Sequence, residues 1–429
     1  MLKNTLYMGI TTAAKLLAGI AVFVIMARVL GPHDFGVVIY AFTLGSIFVL
    51  LVDYGFSQQL LRDIGTTPSA INKIMGRVLI AKLVLSLALL AICAIYLVIF
   101  PKDFTTKIVF LALLCSSLIA SFSEFLNVGF RGVGQFKLET NLATLGAIIH
   151  FALIVAMLLI KPDVYWVAFA FVVSRCIYLC MSWYAYQKHL GNIETTINSN
   201  EVIKTLKAGF PYAADAGFTN FFYQVDTIIV NHYLGFAGVG MYQAATKWMQ
   251  GAMQFAPVLS NVYLPTIASH SSDGQRSVAM EEKLCNSMLF IGFFGWLFFT
   301  FFAEYASDLI YGESYKSLAE LWKFIGLLIF LRYFAATQGV LLTAYGLQKV
   351  RVFAQVCALG ALILTAPYLI KQFNLAGILV SLIASIATLI LVYSIYGNRN
   401  GIKYRNHKVL FTLSLLVAVT FICLVIKNA

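Results

Sequence analysis

The sequence predicts an all-α polytopic membrane protein made of two six-helix lobes, with about 12 core transmembrane helices and a possible 13th at the end. Three observations lead there. Of the 429 residues, 61% are hydrophobic and only 11% charged, whereas soluble domains are roughly a quarter charged. Apolar stretches of about 20 residues, the length that crosses a bilayer as a helix, follow one another along the chain. They are continuous instead of alternating, which excludes barrel strands.

Element by element, apolar runs place helices near 6–28, 37–56, 77–100, 107–130, 139–160 and 164–186. Lys3 precedes the first, but Lys15 interrupts it and Arg28 closes it after a full membrane length, so it reads as a span and not a signal peptide. The polar, Asn-rich stretch Gln187 to Lys204 breaks the pattern and divides the chain. The expected organisation is an N-terminal lobe over 1–190, a cytoplasmic linker over 191–204, a C-terminal lobe over 205–397, and a basic loop with an extra helix over 398–429. The second lobe holds helices near 207–232, 238–266, 284–303, 318–345, 350–370 and 376–397, and the extra span lies near 409–426.

The net charge of +12 follows topology, because no compact basic run or helical stripe suits a nucleic acid. With the N-terminus inside, about 17 Lys and Arg fall on the inner side and about 7 on the outer. The bias persists into the last basic loop, which supports both the helix count and a cytoplasmic N-terminus. The halves also share a faint repeat. Leu30-Gly31, Phe35-Gly36, Tyr40 and Ala41 correspond to Leu234-Gly235, Val239-Gly240, Tyr242 and Ala244. A parallel duplication of six helices restores the same orientation, and transporters built in this way bind substrate between the lobes.

Ionisable residues within spans are costly and point to an aqueous cavity or a partner. Asp215 and Asp226, eleven residues apart, share one face if the seventh helix is continuous. Gln243, Lys247, Gln250, Gln254 and Asn261 likewise form a polar face on a continuous eighth helix. Glu124 on the fourth helix joins the two aspartates as a candidate ion-coupling group. Lys15, Arg175, Lys247, Lys323 and Arg332 make the interior lean positive, and such a cavity concentrates anions. Lys323 and Arg332 lie on opposite sides of their helix, so one of them is structural. Lys82 reads as a snorkelling residue near the inner end of the third helix. Arg28 and Gly31 mark the first turn, while Asp53 and Arg131 suit a gate pair and an interfacial anchor equally.

Other chemistry lacks a signature. There is no phosphate-binding GxxxxGK[ST] loop, no catalytic constellation and no metal-ligand spacing among the histidines, so no cofactor or metal is expected. The seven cysteines read as small buried thiols, with Cys176 and Cys180 as a packing pair. His150 reads as a satisfied buried imidazole.

Four segments carry a family resemblance. They are "ARVLGPHDFGVVIYAFTLGSIFVLLVDYGFSQQLLRDI" from Ala27, "GFRGVGQF" from Gly129, "QVDTIIVNHYLGFAGVGMYQAA" from Gln224 and "IYGESY" from Ile310. In order and spacing they resemble the Wzx-type polysaccharide or O-antigen repeat-unit flippases of the multidrug/oligosaccharidyl-lipid/polysaccharide exporter superfamily. The resemblance implies a MATE-like alternating-access fold in the bacterial inner membrane. It also implies an undecaprenyl-diphosphate-linked glycan as substrate, and a polysaccharide polymerase and chain-length regulator as partners beside the lipid bilayer. A multidrug extruder of the same superfamily is the rival, but it needs acidic groups where this chain carries Lys15. A non-transporting scaffold for glycan assembly is the third reading.

Overall fold

The computed structural model describes residues 2–99, 104–195, 199–222, 224–272, 278–400 and 402. Side chains of residues 2–15 and of several positions in 211–223 are not among the described ones, and the expected span near 409–426 lies outside them. The chain forms α1 (Leu2–Asp53), α2 (Phe56–Thr66), α3 (Ile71–Ile99), α4 (Phe104–Gly132), α5 (Phe136–Ile160), α6 (Val164–Leu190), α7 (Ser199–Phe222), α8 (Val225–Ala252), α9 (Phe255–Ser272), α10 (Val278–Phe301), α11 (Ala303–Tyr311), α12 (Leu318–Ala344) and α13 (Gln348–Arg399). Among the described residues eight helices are long and apolar enough to cross a membrane.

Two of these, α1 and α13, have 52 residues each. At 1.5 Å per residue such a helix runs about 78 Å, more than twice a hydrocarbon core of about 30 Å. Each is broken inside, α1 at Gly31 (φ 74°, ψ 173°) beside Pro32, and α13 at Asn374 (φ 50°, ψ −128°). The breaks fall between the spans expected from sequence. In α8, Gly235 has φ 66° and ψ −167°, close to the angles of Gly31. The sequence repeat therefore marks the same backbone turn twice.

Both glycines occupy a region of φ/ψ space that is essentially glycine-only. A Cβ added at either would meet nothing within 4 Å, and the same holds at Gly19, which lies on α1 without positive φ. Gly31→Ala and Gly235→Ala should each destabilise by about 1–3 kcal/mol through the backbone alone. Gly19→Ala should be neutral or slightly stabilising. Thermal unfolding in detergent separates the outcomes, and equal shifts at all three positions would show that the turn is not strained.

The chain forms two compact units, Met1–Ile228 and Ile229–Ala429. In the first, α4 packs on α1 and α6, α5 packs on the same pair, and α7 lies against α1, α2 and α3. The α7 helix lies within the first of these compact units. In the second, α12 is the central element, contacted by α9, α10, α11 and α13 and buried on most faces.

Two helices differ from expectation. The seventh span is not continuous: α7 ends at Phe222 and α8 begins at Val225. The rotation that placed Asp215 and Asp226 on one face therefore does not carry through. The eighth is interrupted where Met253 and Gln254 form a turn, with Gln254 N donating to the Gly251 carbonyl at 3.1 Å. The polar face expected over Gln243 to Asn261 is confined to Gln243, Lys247 and Gln250 on α8, with Gln254 in the turn and Asn261 on α9.

Candidate functional site

In the first unit the polar groups within spans gather on α4 and α6. Asn127 Nδ2 donates to the Tyr178 hydroxyl at 2.5 Å. One turn away on each helix stand Glu124 and the half-buried Arg175. Glu124 is within electrostatic range of Arg175, Arg131 and Tyr178. His150 reaches the Ser174 hydroxyl at 2.7 Å and stands edge-on to Phe171, the satisfied imidazole that the sequence suggested.

A second group joins α1, α3 and α4. The Lys82 side chain is 2% exposed, and its ammonium donates to Asp53 Oδ1 and to Ser121 Oγ, each at 2.5 Å. Ser121 in turn donates to the same Asp53 oxygen, and the Phe122 ring lies 5.4 Å from Nζ. This corrects the snorkelling reading of Lys82. A neighbouring carboxylate lets the ammonium stay buried where a lone one would have to reach water.

Arg131 and Glu139 face each other across the turn between α4 and α5, with Arg131 Nε donating to Glu139 Oε1 at 3.0 Å. The turn between α12 and α13 has the same construction. Gln135 N donates to the Phe130 carbonyl at 2.8 Å, and Leu347 N to the Leu342 carbonyl at 2.8 Å. Gly134 and Gly346, with φ 80° and 73°, close them. At the positions of Arg131 and Glu139 the second turn has Thr343 and Arg351, and Arg351 Nη1 donates to Thr343 Oγ1 at 2.6 Å. Arg131 is therefore a cross-turn clasp. Glu139, Thr343 and Arg351 escaped the sequence reading, although their spacing of eight residues around a glycine turn was the available signal.

In the second unit α8 presents Gln243 (buried), Lys247 (half-buried) and Gln250 (exposed) along one side. Two phenols fix this helix. Tyr311 donates to the Ala244 carbonyl at 3.2 Å and accepts from Trp248 Nε1 at 3.0 Å. Tyr333 donates to the Ala252 carbonyl at 2.6 Å. The "IYGESY" segment thus acts as a clamp on the helix that carries Lys247. Arg332 is half-buried in the middle of α12. Lys323, expected deep, stands near the start of α12 and pairs with the exposed Glu304 at 3.8 Å, which makes it an anchor at the helix end.

The remaining residues are more dispersed. Asp226 lies in the first turn of α8 and accepts from Thr227 N at 2.6 Å. Gln254 and Asn261 are exposed, as is Arg28 beside the Gly31 turn. Lys15 and Asp215 lie on α1 and α7, but their side chains are outside the described residues. Cys176 and Cys180 are exposed on α6, not packed inside it as expected. Among the described residues no cluster of His, Cys, Asp and Glu is arranged to hold a metal.

Broken spans, repeated turns and half-buried cations in each unit define a class, the polytopic helical bundles built on an internal repeat. Solved structures of similar fold agree. An inward-facing multidrug resistance MATE family transporter of the MOP superfamily aligns with TM-score 0.72 at 16% identity, covering 90% of this chain and 94% of that one. An outward-facing one aligns with TM-score 0.62, covering 93% and 94% at 16% identity. A MOP superfamily transporter from Pyrococcus furiosus, described as having a binding pocket of reverse polarity, gives TM-score 0.62 at 16% identity over 93% and 94%. No curated protein matches. Residues 1–271 match the family described as polysaccharide biosynthesis protein. The chain belongs to this family, as the resemblance to Wzx-type proteins led one to expect.

Proposed function

We propose that the chain is a flippase that moves an undecaprenyl-diphosphate-linked oligosaccharide repeat unit from the cytoplasmic to the outer leaflet of the bacterial inner membrane by alternating access. One observation carries this reading: a chain of the polysaccharide biosynthesis family is similar in fold to MATE family transporters of the MOP superfamily. The charges within the spans fit the substrate. Lys247 suits a phosphate of the substrate, since charge-assisted hydrogen bonds to phosphate are about twice as strong as neutral ones. The sugars would occupy the polar path while the polyprenyl tail stays in lipid. We keep the functional lobes at 1–190 and 205–397, with twelve spans and a thirteenth over 409–426. Export of O-antigen or a related surface polysaccharide would place a polymerase and a chain-length regulator downstream.

Deleting the gene should make lipid-linked repeat units accumulate at the inner leaflet while surface glycan disappears. The wild-type gene should reverse this. Lys247→Ala should restore less than a tenth of wild-type export, corresponding to the loss of about 1.5–3 kcal/mol from a charged hydrogen bond, and Lys247→Arg should restore more. Equal tolerance of alanine and arginine would make Lys247 a packing residue. Normal surface glycan in the deletion strain, together with altered sensitivity to cationic drugs, would favour the extruder reading instead.

A further inference from the structure

Charge is unevenly spread along the chain. Beyond Glu320 there is no further Asp or Glu, yet residues 321–429 hold ten Lys and Arg, which outweighs the rest of the chain in the net charge of +12. Their counter-charge therefore comes from earlier in the chain or from outside it. Where α13 begins and ends, the protein does not supply it. Lys349 and Arg399 are exposed, and Arg351 is held by the neutral Thr343 hydroxyl. Among the described residues none of the three pairs with a carboxylate.

The two arms of α13 on either side of Asn374 run back along each other. Ser385 Oγ donates to the Ala358 carbonyl at 2.7 Å, and the Phe353 and Tyr396 rings meet at 5.9 Å, so the start and the end of α13 lie at the same end of this hairpin. Arg399 Cζ stands 5.9 Å from the Tyr396 ring. On the first arm Lys349, Phe353 and Val356 fall on one exposed face. On the second arm Leu391, Ile395 and Arg399 do the same. Each arm thus ends an apolar stripe in a cation, and the ring contact lies one turn from both cations, at the interfacial depth that tyrosine favours in a bilayer. A charge bias between the two sides of the membrane accounts for the number of cations here, but not for their placement at the head of two exposed apolar stripes.

We infer that this end of the α13 hairpin binds an anionic phospholipid, with the lipid phosphate at Lys349 and Arg399 and the acyl chains along the apolar stripes. Complementarity identifies the occupant. A phosphate supplies the counter-charge that this part of the chain lacks, and ammonium and guanidinium groups make short, strong hydrogen bonds to it. Basic groups beside spans at the membrane surface are where anionic headgroups bind. The acyl chains cover Val356, Leu391 and Ile395, which a soluble anion would leave bare. The lipid then holds the α12–α13 turn from outside, as Arg351 and Thr343 hold it from within.

This site is independent of the flippase reading. The test places the photo-crosslinker benzoylphenylalanine at Val356 of the full chain, in proteoliposomes of equal parts phosphatidylglycerol and phosphatidylcholine, and identifies the captured molecule by mass spectrometry. Each Lys or Arg at a membrane surface favours anionic lipid by about fivefold. Phosphatidylglycerol adducts should therefore exceed phosphatidylcholine adducts by about fivefold or more, and the excess should shrink as salt rises. Lys349→Gln/Arg399→Gln should bring the two lipids level, whereas the charge-keeping Lys349→Arg/Arg399→Lys should preserve the preference. Equal capture of both lipids by the parent chain, or a preference that the glutamine variant leaves unchanged, overturns the inference. So does capture of protein in place of lipid, whether the 403–429 segment or a second copy. Loss of the phosphatidylglycerol adducts on adding a far smaller amount of a polyprenyl diphosphate assigns the face to the transported lipid and overturns it as well.

Discussion

Arg131→Ala should lower the stability of the detergent-solubilised protein by about 3–5 kcal/mol, the usual cost of leaving one partner of a buried pair uncompensated. The Glu139 side chain is only 6% exposed and Arg131 28%, so truncating the arginine leaves a carboxylate that water reaches poorly. Glu139 also lies in the first turn of α5, where its charge favours the helix N-terminus; that contribution survives the substitution and is too small to offset the loss. Arg131→Gln combined with Glu139→Gln should recover most of the stability, because neither charge is then buried alone. At the corresponding turn Thr343→Ala should cost only about 1–3 kcal/mol, because the hydroxyl both accepts from Arg351 and donates to the Gly339 carbonyl at 2.8 Å. Chemical denaturation followed by tryptophan fluorescence measures all three. Equal effects at the two turns would show that the Arg131 clasp is no more than a surface contact.

Gly377→Ala should exceed the roughly 1–3 kcal/mol typical of overpacking and sharply reduce the yield of folded protein. Past the break at Asn374 the chain returns so closely on itself that an added Cβ would lie 2.1 Å from the Leu369 carbonyl oxygen and 2.7 Å from Ile370 N. These are backbone atoms, so no rotamer change relieves the clash and the two parts of α13 must separate. Gly360→Ala on the same helix meets nothing within 4 Å and serves as the control. Size-exclusion profiles after solubilisation should show a monodisperse peak for Gly360→Ala and aggregate or no peak for Gly377→Ala. Matching profiles would mean that the α13 break is loose.

The spans were legible because membrane helices are written in long apolar runs, and the turn at Gly31 was legible because Leu30, Gly31 and Pro32 stop a helix visibly. The interruption between Phe222 and Val225 was not. The turn at Gln224 falls in "FFYQVD", which has neither glycine nor proline to announce it. The same limit undid the polar face of the eighth span. Interior charges were found as residue types, but their partners were not. Nothing in a linear chain says that Lys82 is neutralised by a carboxylate 29 residues earlier, or that Glu139, at the start of the expected fifth span, answers Arg131. The clasps become evident only when the two halves are compared turn by turn.

The Asp53 and Lys82 pair also bears on how the chain is made. A lone charge at the centre of a nascent span costs about 2.5–3.5 kcal/mol on insertion scales, and α3 carries Lys82 in an otherwise apolar stretch. Asp53 ends α1, the membrane-length helix synthesised before it, with only the short α2 between them. If the two emerge and enter the bilayer as a hairpin, their charges cancel before α4 delivers Ser121. The pair then acts first as an aid to membrane insertion, and the order of synthesis itself protects the correct topology of the first unit.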